Sequence, residues 1–366
     1  MNSKLDRRAV LKGLGAGGAT GVFGKAATTA IAAPVVARGT VLTLSTWGGI
    51  TQDSVKAFVA PEFERSTGTK LAYDIGGLGA RYNKLLAQRA NPPADVFFST
   101  DEAIVAGRKA SILTDTRKKN ITNFGDVADW AKTIKPEGDG ELLPGVPYTL
   151  IAYVLAYNPE IVKQPVTSWA DLWRPEFTGK LAFASPVHSM MPAFVIVAAE
   201  MSGGSASNPD PGFKKLAELK PAKLTVFWTD WAPLNKSEDV TLATEFDYYL
   251  ESMKNQKYPI SYVIPKEKGF GASEYVSIVQ GTKNQELAEE FLNQMIATKA
   301  QHAFAVETFQ GAISTKVNLT EAEQERCACG ARVDQLRFFD PALFANNRAV
   351  WTERLNTEVV PNWRTR

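Results

Sequence analysis

The stretch Val166-Thr167-Ser168-Trp169-Ala170-Asp171-Leu172-Trp173, continued by Arg174-Pro175-Glu176-Phe177-Thr178-Gly179-Lys180-Leu181, constrains this chain more than any other. Thr167 or Ser168 can cap a short helix, and Asp171, three residues after Ser168, has capping-box spacing. Trp169, Leu172 and Trp173 fall at helical spacing and give that helix one apolar face. Pro175 stops the turn, and Gly179 precedes a strand over Lys180–Ala184. The segment therefore reads as a packed helix-to-strand corner.

The chain before it alternates regularly. Val41–Trp47 reads as a strand, Gly48-Gly49 turn it into a helix over Gln52–Thr67, and Gly68 stops that helix. A strand over Lys70–Ile75, the loop Gly76-Gly77-Leu78-Gly79, a helix from about Ala80 to Ala90 and a strand over Asp95–Phe98 follow. Strand–helix alternation of this kind predicts a parallel sheet with covered faces. Ligands of such sheets bind beyond the carboxyl ends of the strands, here Trp47-Gly48-Gly49, Gly76–Gly79 and Ser99-Thr100-Asp101.

A second block of the same kind runs through Lys180–Ala184, Leu224–Trp228 and Val240–Tyr249. The strand-like run Thr149–Tyr157 is the expected crossing into it, and Ser261–Pro265 the expected return. The fold class expected is α/β with two lobes, each a mainly parallel sheet flanked by helices. The first lobe takes 39–147 plus 266–316. The second takes 148–265 plus 317–366, with the C-terminal helices.

A length of 366 residues allows two domains, and 45% hydrophobic with 22% charged residues is ordinary for a soluble globular chain. A net charge of +2 carries no bulk signal for nucleic acid. Residues 1–37 read as an export signal: Arg7-Arg8 precede a Gly/Ala-rich, weakly apolar run that ends in A-x-A-like patterns, in the manner of twin-arginine leaders. No later segment is long and apolar enough for a membrane span. Cys327 and Cys329 are separated by one residue, poor spacing for a disulfide, and read as free thiols or a strained bridge with no catalytic role.

The corner motif, in its order "TSWADLW-P-F-GKL", resembles extracytoplasmic solute-binding proteins of ABC importers, in the branch of polyamine and ferric-ion binders. Tyr258–Gly269, with its Pro265-Lys266-Glu267-Lys268-Gly269 exit, is similar to the family's returning strand. The resemblance implies the two-lobed type II periplasmic-binding-protein fold and a periplasmic location. It also implies a small-molecule ligand in the interlobe cleft, delivery to an ABC permease, a monomer, no cofactor and no catalysis. Trp47 matches a tryptophan of the polyamine binders, Ser99-Thr100 match their Ser-Thr, Phe246-Asp247 fall on their Trp-Asn, and Glu274 falls on their acidic residue. The carboxylates those relatives carry after the strand matching Lys180–Ala184 are replaced here by Ser185-Pro186-Val187-His188-Ser189. That departure favours a zwitterion or monoamine over a polyamine. The rival within the resemblance is ferric ion on Tyr248 and Tyr249, since phenolates are hard oxygen ligands.

The residue chemistry agrees with binding rather than catalysis. Of the two histidines, His188 adjoins Ser189, but neighbours at i and i+1 do not face each other and no G-x-S-x-G elbow surrounds them. A periplasmic enzyme on the same scaffold therefore lacks a nucleophile–base pair. Trp47 and Trp231 are candidate walls or cation–π faces for an amine. Asp101, Asp247 and Glu274 are candidate ammonium partners. Arg81, with Gly48 at the first turn, is placed for a carboxylate. Ser99, Thr100, Ser189 and Tyr248 complete the expected ligand set.

Overall fold

In a computed structural model the described residues are 40–134, 140–226 and 228–363. The expected export signal, with Arg7 and Arg8, lies outside them.

The strands are β1 Val41–Thr46, β2 Lys70–Ile75, β3 Val96–Thr100, β4 Leu113–Thr114, β5 Thr116–Arg117, β6 Leu142–Leu143, β7 Val146–Tyr157, β8 Leu181–Ala184, β9 Pro221–Thr225, β10 Leu242–Phe246, β11 Ser261–Val263, β12 Gly269–Val279 and β13 Leu336–Phe338. The main sheet runs β2-β1-β3-β12-β7-β10-β8-β9. β1 pairs in parallel with β2 and β3, and β8 pairs in parallel with β9 and β10. Between these halves, β12 and β7 are antiparallel to each other and to β3 and β10 respectively. Read outward from the centre, both halves repeat one topology, with third, first and second strand in that order. This is the expected two-lobed α/β class.

β7 and β12 are long and buried almost throughout, because each belongs to both halves. The first residues of β7 pair with β12 beside β3, and its last five pair with β10. The return to the first half is therefore made by β12. The strand Ser261–Val263, inside the expected return Ser261–Pro265, pairs instead with the end of β7. Tyr262-Val263-Ile264 is as apolar as the longer, glycine-broken strand β12 that follows, so apolar content alone does not separate the two.

Helical turns cover 50–67, and Gly68 ends them at φ 71°, with its N–H on the Glu64 carbonyl at 3.0 Å. A left-handed residue there suits glycine, the expected stop. The second-half core gathers Trp169, Phe183, Phe194 and Phe213; that of the first gathers Leu44, Phe63, Phe98 and Phe291.

The two sequence signatures, about a hundred residues apart, touch each other. Ser168 caps the 3-10 turn Trp169–Trp173 through the expected capping box with Asp171. Glu267 accepts from Ser168 Oγ at 2.6 Å and from Trp169 N at 3.1 Å, and Trp169 Nε1 donates to the Lys268 carbonyl at 2.9 Å. The Trp169 ring stacks on Phe270 with centroids 4.4 Å apart. The corner thus anchors the start of β12, the strand that carries Glu274.

Cys327 and Cys329 form a disulfide, the bridged alternative of the sequence reading. The loop it closes presses on Gly311, where a Cβ would meet the Ala328 carbonyl oxygen at 2.2 Å and that of Leu150 at 2.7 Å. Gly311 and Leu150 of β7 exchange both backbone hydrogen bonds at 3.0 Å in an isolated bridge, so no side chain fits at Gly311.

Candidate functional site

The carboxyl ends of both parallel half-sheets open onto one cavity of about 490 Å³. Trp47 after β1, Gly77–Ala80 after β2 and Thr100 and Glu102 after β3 line it from one side. Val187, His188 and Ser189 after β8, Val226 after β9, and Phe246, Tyr248 and Tyr249 at the end of β10 line it from the other. Glu274 of β12, Ile151 of β7 and Arg348 of the helix Pro341–Arg354 close it.

Glu274 owes its place to a β-bulge. Glu274 opposes Thr149 and Tyr275 opposes Pro147, so Tyr148 is the extra residue on β7. Bulges re-aim side chains and are common beside binding sites. Here Tyr148 Oη donates to Glu274 Oε2 at 2.5 Å. Burial pushes the Glu274 carboxyl up to about 7, against the Tyr148 hydrogen bond and the charge of Arg81, which favour ionisation. Among the described residues no lysine or arginine forms an ion pair with it. It is a desolvated carboxylate at the cavity wall, held by a neutral donor.

Aromatic rings form the wall around it. Tyr248 and Tyr249 have centroids 4.1 Å apart, and Phe246 lies 6.0 Å from Tyr248. The His188 ring stacks on Phe246 at 5.6 Å. Its Nδ1 accepts from Met190 N at 3.1 Å, which assigns the proton to Nε2, and burial lowers its pKa to about 3. It is a neutral ring in the wall.

Arg348 ties the two sides together. It is paired with Glu102 of the helix Asp101–Lys109, with Nε to Oε1 at 2.7 Å, and it donates to the His188 and Ser189 carbonyls at 3.0 Å each. This cation is fully engaged. The charged groups lining the cavity are thus Glu102 and Arg348, which cancel, and Glu274.

Of the residues expected at the site, Trp47, Thr100, Ser189, Tyr248, Tyr249 and Glu274 line the cavity, and six others do not. Asp247 is corrected: it is 1% exposed, and its Oδ1 accepts from Tyr248 N at 3.0 Å and from Ala152 N at 3.3 Å. As the first residue of the helix Asp247–Asn255 it is held by one N–H of that helix and one of β7, with Arg332 Nη2 3.7 Å from its Oδ2. Trp231 is fully buried and donates Nε1 to Glu245 Oε2 at 2.9 Å, so it is a core residue. Arg81 donates to the carbonyls of Ser45 and Phe98 at 2.9 Å and of Gly76 at 2.8 Å. It clamps the strand ends rather than a ligand carboxylate, and its guanidinium lies 4.8 Å from the Trp47 ring. Ser99 is fully buried, and Asp101 binds Glu102 N and Thr133 Oγ1 at 2.8 and 3.0 Å beside a small adjoining recess. At Gly48 a Cβ would press on the Ile75 side chain at 3.1 Å, and Gly48 does not border the cavity.

Sequence reasoning missed Tyr148, Arg348 and Glu102 and dismissed His188. Tyr148 meets the site through a bulge and Arg348 through a helix far along the chain, while Glu102 and His188 sit at strand ends whose sequence does not say which side chains face the cavity.

Burial pushes Asp101, Glu245 and Glu274 up to about 7 and Asp247 up to about 6. A carboxyl with a raised folded pKa holds an extra proton in the folded state between its unfolded and folded values. Stability then falls as pH rises through that window, by up to about 1.4 kcal/mol per group per pH unit. His188, depressed to about 3, acts oppositely below about 6.5 and offsets one of the four. The ligand-free protein is therefore expected to melt at a higher temperature at pH 5.5 than at pH 7.5, by scanning calorimetry. A higher melting temperature at pH 7.5 would show that these carboxyls are ionised without cost.

The family model described as "Bacterial extracellular solute-binding protein" matches residues 59–326, well over half of the chain. The chain is a bacterial extracellular solute-binding protein. This solute-binding protein is 24% identical over 246 residues to spermidine/putrescine-binding periplasmic protein 1 of Haemophilus influenzae, covering 65% of the chain and 66% of that protein. It thus spans about two thirds of that relative's length. It is 24% identical over 288 residues to a Salmonella typhimurium periplasmic protein assigned to 2-aminoethylphosphonate binding, covering 76% and 79%. Among solved structures, an ABC transporter protein from Clostridium perfringens superposes with TM-score 0.71 at 25% identity, covering 87% of this chain and 99% of that one. Iron-bound HitA from Pseudomonas aeruginosa shares the fold, with TM-score 0.68, 18% identity and coverage of 86% and 98%.

Proposed function

We propose that this protein captures a small amine-bearing organic solute, monoamine or zwitterion, in the cavity and delivers it to an ABC permease from the periplasm. The observation that carries this reading is Glu274, a buried carboxylate that forms no ion pair among the described residues and faces an aromatic-lined cavity. An ammonium group supplies the missing charge. Both curated relatives are named for ligands that carry amines.

The lobes are proposed to divide where β7 and β12 pass between the half-sheets. Trp47, Thr100, Ser189, Tyr248, Tyr249 and Glu274 form the working ligand set.

Ferric ion on Tyr248 and Tyr249 is the second reading, favoured by the adjacency of the two rings and of Glu274 at the wall. Burial raises both phenols, so phenolate formation is opposed until a metal arrives. Native mass spectrometry of the exported protein separates the readings. An organic, nitrogen-containing adduct on colourless protein is expected. Stoichiometric iron with a visible phenolate-to-iron band, lost in Tyr248→Phe, would reverse the order.

A further inference from the structure

We infer that the solute is a monocationic amine with an aromatic or similarly bulky apolar body, which narrows the amine reading above and rests on it. The first observation is the charge count. Glu102 and Arg348 cancel across the cavity mouth, which leaves Glu274 as the one unpaired charge on the wall among the described residues. One carboxylate satisfies one ammonium. A second ammonium on a diamine would enter a desolvated space unpaired, which is strongly unfavourable.

The second observation is that, among the described residues lining the cavity, no cation is left over for an anionic end. Arg348 is held by Glu102 and two carbonyls. Arg81 does not border the cavity; it donates to three carbonyls and leaves Nη2 buried without a hydrogen-bond partner. Among the described lining residues a carboxylate or phosphonate would find neutral donors such as the Asn83 amide, His188 Nε2 and the tyrosine hydroxyls, and no unengaged cation.

The third observation is the wall itself. Trp47, Phe246, Tyr248 and Tyr249 present flat apolar surface within a cavity of about 490 Å³, far more than a short alkylamine fills. Arg81 already sits over the Trp47 ring, and a second cation on that ring would be repelled by it. Trp47 is therefore the platform for the body of the solute, and the ammonium goes to Glu274.

Calorimetric titration of the mature protein with 2-phenylethylamine, butylamine, putrescine, phenylalanine and 2-aminoethylphosphonate tests this. 2-Phenylethylamine is expected to bind at least about thirty-fold more tightly than butylamine, the gain from burying a ring. It should also exceed putrescine, phenylalanine and 2-aminoethylphosphonate by tenfold or more, and Trp47→Ala should remove most of its advantage over butylamine. Equal or tighter binding of putrescine would overturn the single-charge argument, and equal or tighter binding of phenylalanine or 2-aminoethylphosphonate the monocation. In either case, loss of that binding in Glu274→Gln would leave the amine reading standing. No binding of any amine would overturn both.

Discussion

Trp169→Ala is expected to lower folding stability by about 3–5 kcal/mol, the range for deleting a large buried aromatic. The indole is fully buried, stacked on Phe270 and edge-on to Phe194 at 5.2 Å. Its loss leaves a cavity between the second-half core and the start of β12, and orphans the Lys268 carbonyl. Lys268 holds a left-handed φ of 78°, a conformation unfavourable for lysine that the corner helps maintain. Trp169→Phe keeps the stacking but not the N–H donor and should cost less. Chemical denaturation of the three proteins measures this, and a loss below about 1 kcal/mol in Trp169→Ala would show that the corner is not an anchor.

That anchoring explains why so much of the fold was legible. The corner motif and the Pro265–Gly269 exit are local patterns, and each contains the partner the other needs. Strand–helix alternation marked the three strand ends of the first half, and all three border the cavity through Trp47, Gly77–Ala80 and Thr100. The site was less legible, for physical reasons. Asp247 and Glu274 are both acids at strand ends, and sequence gives no means of ranking them. One spends its carboxylate on its own helix start, the other is turned to the cavity by a bulge created by one extra residue on a distant strand. Trp231 and Trp47 are likewise alike in sequence, and only Glu245 beneath Trp231 commits it to the core. Arg81 follows a glycine loop, a place that suggests a ligand, but its guanidinium binds the Gly76 carbonyl of that loop and the carbonyls of Ser45 and Phe98 at the strand ends.

Glu274→Gln is expected to weaken amine binding by about 2–5 kcal/mol, roughly thirty-fold to several-thousand-fold in Kd. Glutamine keeps the size and the acceptor for Tyr148 while removing the charge. Because the carboxyl titrates at about 7 in the empty protein, Glu274→Gln should not destabilise the fold at neutral pH, where burying the anion is costly. The same titration predicts a pH dependence of binding in the parent. Below pH about 7, the ionised fraction falls tenfold per unit, and the apparent Kd of an amine rises in proportion. Asp247→Asn serves as the contrast: its carboxylate lies off the cavity, so affinity should change little even if stability does.

The direct test of amine capture by Glu274 is calorimetric titration of the tightest-binding amine into the parent, Glu274→Gln and Asp247→Asn at pH 8, with circular dichroism confirming that all three are folded. A loss of affinity of at least about thirty-fold is expected in Glu274→Gln alone. Parent-like affinity in folded Glu274→Gln, or an equal loss in Asp247→Asn, would contradict it.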